Sequence, residues 1–383
     1  MDEKSIVQIN SVVLRHDALD NVMQTINMIN LMEGYESSIV ADLFSEYDHH
    51  LILASQDYDK SPLSQKMSYA LYRFLWVSKK AHWLKKYMKA KMRYKKGVAK
   101  ERIEKADVRI WHYGAFYTLF RYFHAGDVLF YHGITYPNLS YFSEFGIYSK
   151  NMLQAILDMY PFVIVQSNFI KEGLIALGFK KKSIHVLPLF HVNDLKYMER
   201  NPNGCKLIAW GRYALNKSVP ELVKMANENG LSLRVFGDNT TLKEFVDQYK
   251  EAKAMNTRGY ATLTGKVPDF EAELNQANIY ISNSGHEGFG LPLIEAESYS
   301  IPVLARRGTS MDELVKDGYN GFLFSDIGEV PELVARIMQD YRKFSYNAWK
   351  HSQNFTYEKF KGRYLRILKE YVRKERIERH KRY

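Results

Sequence analysis

The sequence predicts an α/β protein made of two doubly wound parallel sheets. Three observations carry that expectation: the length, an alternation of short apolar strands with helical stretches, and a break in the pattern near the middle. At 383 residues the chain is long for one core and suits two. Strands alternating with helices favour parallel pairing, with helices covering both faces of the sheet. The break covers residues 187–204, where periodicity stops and Pro188, Pro202, Asn203 and Gly204 gather, as in an interdomain linker.

In the first half, residues 5–10, 37–41, 51–55, 107–113, 127–132, 162–167 and 184–187 read as strands from their apolar runs and bounding turn residues. They place an N-terminal domain at 1–190, with a basic helical insertion at about 65–105. After the linker, residues 207–210, 233–236, 261–265, 279–284 and 301–305 form a second strand series, in a domain placed at 203–345. Residues 346–383 complete the chain, and 357–379 carry helical apolar spacing at Phe360, Tyr364, Leu365, Ile367, Leu368 and Tyr371.

The most informative stretch is 279–295, Ile-Tyr-Ile-Ser-Asn-Ser-Gly-His-Glu-Gly-Phe-Gly-Leu-Pro-Leu-Ile-Glu. A strand leads into a loop in which Gly288 and Gly290 flank Phe289, and Leu291-Pro292 suits the first turn of a helix. Backbone N–H groups at such a helix start face an anion. Glu287 and Glu295 frame the loop, and carboxylates only accept hydrogen bonds. Their natural partners are hydroxyls, so a ligand carrying both phosphate and hydroxyls, a nucleotide sugar, satisfies the whole string.

This string resembles the E-x7-E signature of the retaining glycosyltransferases of family 4, which have the GT-B fold. Upstream, the strand ending at Gly211 is followed by Arg212-Tyr-Ala-Leu-Asn-Lys217, where the resemblance implies that Arg212 and Lys217 grip the donor diphosphate. Fixed cations and a helix N-terminus stabilise the charge that grows on a departing diphosphate. The family also implies two Rossmann-like domains facing across a cleft, the first on the acceptor side, and C-terminal helices that pack back on the first domain. A histidine at the end of an N-domain strand is implied as well; His132 matches it best, and His112 is the rival. By this resemblance His132, Glu287, Arg212 and Lys217 are the catalytic set. Gly211, Arg212, Lys217, Glu287, Gly288, Phe289, Gly290, Leu291 and Glu295 hold the donor, Glu287 its sugar hydroxyls and Glu295 its ribose. Lys266 and Val267 are assigned to the base, with a plain surface loop as the equal alternative.

The reaction so implied moves a hexose, of glucose or mannose type, from a UDP-, GDP- or ADP-sugar with retention of configuration. No cofactor or metal is expected, since two cations and a helix terminus supply the charge. Asp57-Tyr58-Asp59 after an apolar strand is the one contrary pattern, the form in which metal-dependent GT-A enzymes hold a divalent ion.

Charge points to the setting. The net charge is +11, yet residues 66–105 alone hold 14 Lys or Arg against 2 Glu. In helical projection Trp83, Leu84, Tyr87, Met88 and Met92 oppose Lys85, Lys86, Lys89, Arg93 and Lys96. Such a helix fits an anionic membrane surface, an outer layer on the core, or, as the least favoured reading, nucleic acid. The expected acceptor is therefore a lipid-linked or membrane-proximal glycan. Modified DNA is the rival acceptor, and a nucleotide-sugar epimerase or an inactive sugar-nucleotide-binding protein is the rival function. Lone Cys205 excludes an intramolecular disulfide, acids precede the first apolar stretch, and no run of about 18 apolar residues occurs. These place the protein in the cytoplasm, peripheral to the inner face of the membrane.

Overall fold

The computed structural model describes residues 5–12, 18–43, 51–53, 103–112, 127–132, 162–176, 178, 180–200, 202, 204–240 and 243–380. The Asp57-Tyr58-Asp59 pattern and all but the last three residues of the basic stretch 66–105 lie outside them. Contacts divide the chain into two compact units. The first comprises 1–166, 170–187 and 363–383, and the second 167–169 and 188–362.

In the first unit, β1 (Ser5–Val12), α1 (Ala18–Met32), β2 (Glu36–Leu43), β3 (Leu51–Leu53), β4 (Val108–His112), β5 (Val128–Phe130), β6 (Phe162–Val165), α2 (Asn168–Ala176, whose first two residues fall to the second unit) and β7 (Ile184–Val186) follow in order. The strands lie as β3-β2-β1-β4-β5-β6-β7, every pairing parallel. Every residue of β5 and β6 is buried, as a parallel strand covered on both faces requires. A buried carboxylate sets where β5 begins. Asp127 accepts from Arg109 Nε and Trp111 Nε1, both at 2.7 Å, and so ties the start of β5 to side chains of β4. Charge-assisted bonds of this kind compensate the cost of burying Asp127.

The second unit holds β8 (Lys206–Trp210), α3 (Val219–Asn229), β9 (Ser232–Phe236), α4 (Lys243–Met255), β10 (Ala261–Thr264), α5 (Phe270–Gln276), β11 (Ile279–Ser282), α6 (Leu291–Ser298), β12 (Val303–Arg306), β13 (Gly321–Phe324), α7 (Val330–Gln339) and α8 (Tyr341–Ser352). Its sheet runs β10-β9-β8-β11-β12-β13, again wholly parallel. Strand β13 was absent from the sequence expectation, whose last strand was 301–305.

Residues 188–200 have no regular structure, yet they pack as part of the second unit. Arg200 accounts for much of that, donating to the carbonyls of Tyr299, Ala277 and Leu274 at 2.7, 2.7 and 3.1 Å. Five fixed donors suit a guanidinium for gathering main-chain acceptors. The boundary expected at 345 falls inside α8, which packs against α6 within the same unit. From Pro188 the chain stays in this unit until Arg363, within α9 (Tyr357–His380). Phe360 is buried against Phe190 in the second unit, whereas Tyr364 is buried in the first and donates to Asn30 Oδ1 at 2.9 Å.

Three strand ends of the second sheet close on glycines. Gly237 follows β9 at φ +149°, and a Cβ there would lie 1.7 Å from the carbonyl oxygen of Gly211, at the end of β8. Gly237→Ala is therefore expected to displace the loop after β8 and to destabilise the protein by about 3 kcal/mol. Urea unfolding of the variant measures this, and a loss below about 1 kcal/mol would show that the backbone yields at no cost.

Candidate active site

In the second sheet the chain winds one way from β8 to β9 and the other way to β11, which makes the β8/β11 pair the topological switch point. Ligands of such sheets sit beyond the carboxyl ends of the strands there. The first motif and the strand end of the second meet at this place, whereas Glu287, Gly288, Phe289, Gly290, Leu291 and Glu295 do not line the cavity. Trp210, Gly211, Arg212 and Lys217 from the β8 side and Tyr280, Ser282 and Asn283 from the β11 side line one cavity.

Two loops are stitched together around it. Gly285 N donates to Asn216 O at 2.9 Å, Asn216 Nδ2 donates to His286 O at 3.0 Å, and Lys217 Nζ lies 2.5 Å from Glu287 Oε2. The ion pair brings the far motif's first glutamate to the near motif's lysine, across 70 residues of sequence. Ser310 Oγ donates to Glu287 O at 2.8 Å and fixes the backbone behind that side chain. Arg212 is exposed, with its guanidinium 5.9 Å from the Phe245 ring centre. Asn216 and Ser310 escaped sequence reading. Asn216 lay in plain view inside the basic loop, whereas Ser310 has no local signal, because its role depends on β12 running beside β11.

Helix α6 starts as expected. Gly290 takes φ +100°, Pro292 occupies the first turn, and no side chain caps the N-terminus. A Cβ on Gly290 would sit 3.0 Å from Met311 Cγ, so the turn needs glycine for space as well as for its dihedral. The uncapped end carries the positive pole of the helix dipole, which attracts anions. Phe289 is buried with its ring 5.8 Å from that of Phe355, so only its backbone is available to a ligand. Gly288 and Leu291 are half-buried beside it. Lys266 is exposed and Val267 half-buried after β10, two strands from the switch point, and neither lines the cavity.

Glu295, in α6, is half-buried. Burial pushes its carboxyl up to about 7, against a smaller opposing pull from the Trp210 indole N–H. A carboxyl raised in the folded state holds its proton more tightly there than when unfolded. Its contribution is therefore most favourable below about pH 4.5 and is lost as pH rises to about 7. Glu295→Gln is expected to stabilise the protein by about 1–3 kcal/mol at pH 8 relative to pH 4.5. Denaturation curves at the two pH values check this, and an equal change at both would remove the linkage.

His132 belongs to the first unit, just after β5. Its Nε2 lies 2.7 Å from His112 Nδ1 and its Nδ1 lies 2.9 Å from Gln166 Nε2. Both ring nitrogens thus have protein partners. Burial lowers His132 to about 3 and His112 well below the usual range, the latter helped by charge repulsion between the rings. Both rings are neutral at physiological pH.

Two doubly wound parallel sheets joined by a helix shared between them are the GT-B fold, and solved structures of that class superpose on nearly the whole chain. Anabaena Alr3699/HepE in complex with UDP-glucose matches with a TM-score of 0.67 at 14% identity, covering 96% of this chain and 99% of that one. A sucrose-phosphate synthase from Thermosynechococcus elongatus matches with a TM-score of 0.70 at 18% identity, covering 96% and 99%. Residues 198–351 match the family model of the glycosyl transferases group 1, which spans both motifs. Curated relatives include the α-monoglucosyldiacylglycerol synthase of Acholeplasma laidlawii, 26% identical over 34% of this chain and 33% of that protein. The O-antigen chain mannosyltransferase B of Escherichia coli is 25% identical over 50% and 54%. The chain therefore spans about a third to a half of the length of these relatives. Among the described residues no helix is long and apolar enough to cross a membrane.

Proposed function

We propose that the protein is a retaining glycosyltransferase of family 4 that transfers a hexose from a nucleoside-diphosphate sugar. One observation carries the reading: Arg212 and Lys217 line the cavity at the switch point of the second sheet, Lys217 pairs with Glu287, and the loop that carries Glu287 runs into the uncapped start of α6. This is an arrangement of cations and amides for a diphosphate, next to acceptors for hydroxyls. Glu287 then takes hydroxyls of the transferred sugar and Glu295 those of the ribose, the E-x7-E pair in their family roles. The departing diphosphate is stabilised by fixed cations and backbone, so the reaction needs no metal. His132 enters as a hydrogen-bonding group, since a neutral ring with both nitrogens committed is not poised to move a proton.

The acceptor is a lipid-linked or membrane-proximal glycan. Relatives named as an α-monoglucosyldiacylglycerol synthase and an O-antigen chain mannosyltransferase B support that class. Residues 66–105, with their excess of 12 positive charges, are assigned to an anionic membrane surface, which puts the protein at the cytoplasmic face.

The test is thermal stabilisation by UDP, GDP, ADP and their sugars in EDTA. At 100 times its dissociation constant the correct donor is expected to add about 2.7 kcal/mol. Stabilisation that appears only with manganese overturns the metal-independent reading, and stabilisation by none of them overturns the donor reading.

A further inference from the structure

A tryptophan ends β8 at the switch point, and the rings around it fix the direction of its one polar group. Trp210 lines the cavity and is half-buried. Its ring centre lies 4.6 Å from that of Tyr280 on β11, 5.2 Å from that of Phe270, met edge-on, and 6.1 Å from that of Phe236, which is nearly parallel to it. Rings packed in this way from three further elements leave the indole little freedom to turn. An indole N–H donates and never accepts, so a fixed ring needs an acceptor where its nitrogen points. It meets the carboxylate of Glu295, on α6.

That bond orients the carboxylate without using it up. A carboxylate offers about four lone-pair positions, and one donor takes one of them. Glu295 is half-buried and keeps the others for hydroxyls. Charge around it gives the bond its weight. Burial raises the Tyr280 phenol, and the charges of Glu287 and Glu295 add to this against a hydrogen bond with Ser282. Burial likewise raises Tyr299 at the end of α6, helped by Glu271, Glu295 and Asp269. Both phenols are therefore neutral near pH 7, and Lys217 is engaged by Glu287. The contact found to favour the charged form of Glu295 is the Trp210 N–H. Trp210 also stands two residues before Arg212, so one strand end delivers both the cation assigned to the diphosphate and the donor that turns the second glutamate.

We propose that Trp210 is a positioning residue for ribose recognition, its indole N–H holding the Glu295 carboxylate ionised and turned toward the 2′- and 3′-hydroxyls of the nucleotide. The inference rests on the reading that Glu295 binds the donor ribose, and it adds the residue on which that binding depends.

The test compares the wild type with Trp210→Phe, which keeps an aromatic ring and removes the donor, and with Glu295→Gln. Each full chain is titrated with UDP, GDP and ADP and with their 2′,3′-dideoxy analogues across neutral pH. The readout is the ratio of the two affinities, because ionisation of the diphosphate and any damage to the fold act on both ligands alike. In the wild type this ratio is expected to rise as pH climbs through about 7, where Glu295 ionises and its oxygens become acceptors only. Trp210→Phe is expected to cut the ratio about tenfold at neutral pH and to move its rise to higher pH. Glu295→Gln removes the rise, and the double variant should match Glu295→Gln alone.

A ratio and pH profile that Trp210→Phe leaves unchanged overturn this inference, and the donor reading survives. Equal affinities for nucleotide and dideoxy analogue in the wild type overturn the ribose role of Glu295 and this inference with it, while diphosphate binding stands. If no nucleoside diphosphate binds the wild type, the donor reading itself fails and takes this inference with it. A second measurement needs neither ligand nor a Trp210 variant. In the 15N-tryptophan-labelled protein, one of the five indole signals is expected to follow a titration near pH 7 that Glu295→Gln removes. If no indole signal does so, the bond is overturned.

Discussion

Arg212→Ala is expected to lower the transfer rate about 10²–10³-fold while leaving the unfolding free energy within about 0.5 kcal/mol of the wild type. The two halves of this result have separate causes. Arg212 is exposed on the loop after β8, and the contact found for it is a guanidinium 5.9 Å from the Phe245 ring centre, so folding depends on it little. A departing diphosphate gains charge in the transition state, and a positioned cation is worth most at that moment. Lys217→Ala is expected to lose activity similarly, but with a second signature, because its partner Glu287 is left without the ammonium 2.5 Å away. Lys217→Ala and Glu287→Ala should therefore be non-additive in a double-mutant cycle, whereas Arg212→Ala adds to either. Turnover and urea unfolding on the same preparations check all of this; loss of stability in Arg212→Ala equal to its loss of activity would make it a structural residue.

The largest stability effect is expected at a buried pair behind α6. Glu297 and His351 are almost wholly inaccessible, and His351 Nδ1 lies 2.7 Å from Glu297 Oε2. Asn320 Nδ2 donates to the other carboxylate oxygen and to Leu314 O, and Asn320 Oδ1 accepts from Lys316 N, so one cluster ties α6, α8 and the loop before β13. Removing one partner strands a polar group with no access to water, at a cost of about 3–5 kcal/mol. His351→Ala is thus expected to unfold at markedly lower urea concentration, whereas Glu297→Gln with His351 intact retains hydrogen bonding and should lose less. Burial pushes the Glu297 carboxyl up, opposed by His351 and Asn320. A raised carboxyl loses its favourable contribution as pH climbs above the unfolded value through the folded one, so the cost of Glu297→Gln should shrink as pH increases. A cost that grows with pH would mean that the paired, charged form dominates.

Much of the fold was legible because a strand buried on both faces must be apolar throughout. Strands such as β6 and β11 announce themselves as Phe-Val-Ile-Val and Ile-Tyr-Ile-Ser, and α9 announces itself by Phe360, Tyr364, Leu368 and Tyr371 on one face. β13 passed unnoticed because Gly321 opens it and a glycine there reads as a turn. Yet that glycine is required by β12, whose Val303 carbonyl oxygen would lie 1.8 Å from a Cβ at this position. The linker was misjudged for a related reason. Irregular composition shows that 188–200 lacks helix and strand, but Arg200 binds carbonyls more than 70 residues away, and no local pattern encodes that.

By itself, the sequence determined the two parallel sheets, the glycine turn before α6 and the residue types able to meet a diphosphate, since each follows from local backbone preference or from side-chain chemistry. Only the tertiary structure decided which of these groups act together. Lys217 meets Glu287 because β8 and β11 are neighbours in the sheet. His132 is neutral and committed because β1, β4, β5 and β6 bring Gln8, His112 and Gln166 into line. Hydrogen bonds and charge act over a few ångströms of space, whereas a sequence records separation along the chain, and the strand order alone converts one into the other.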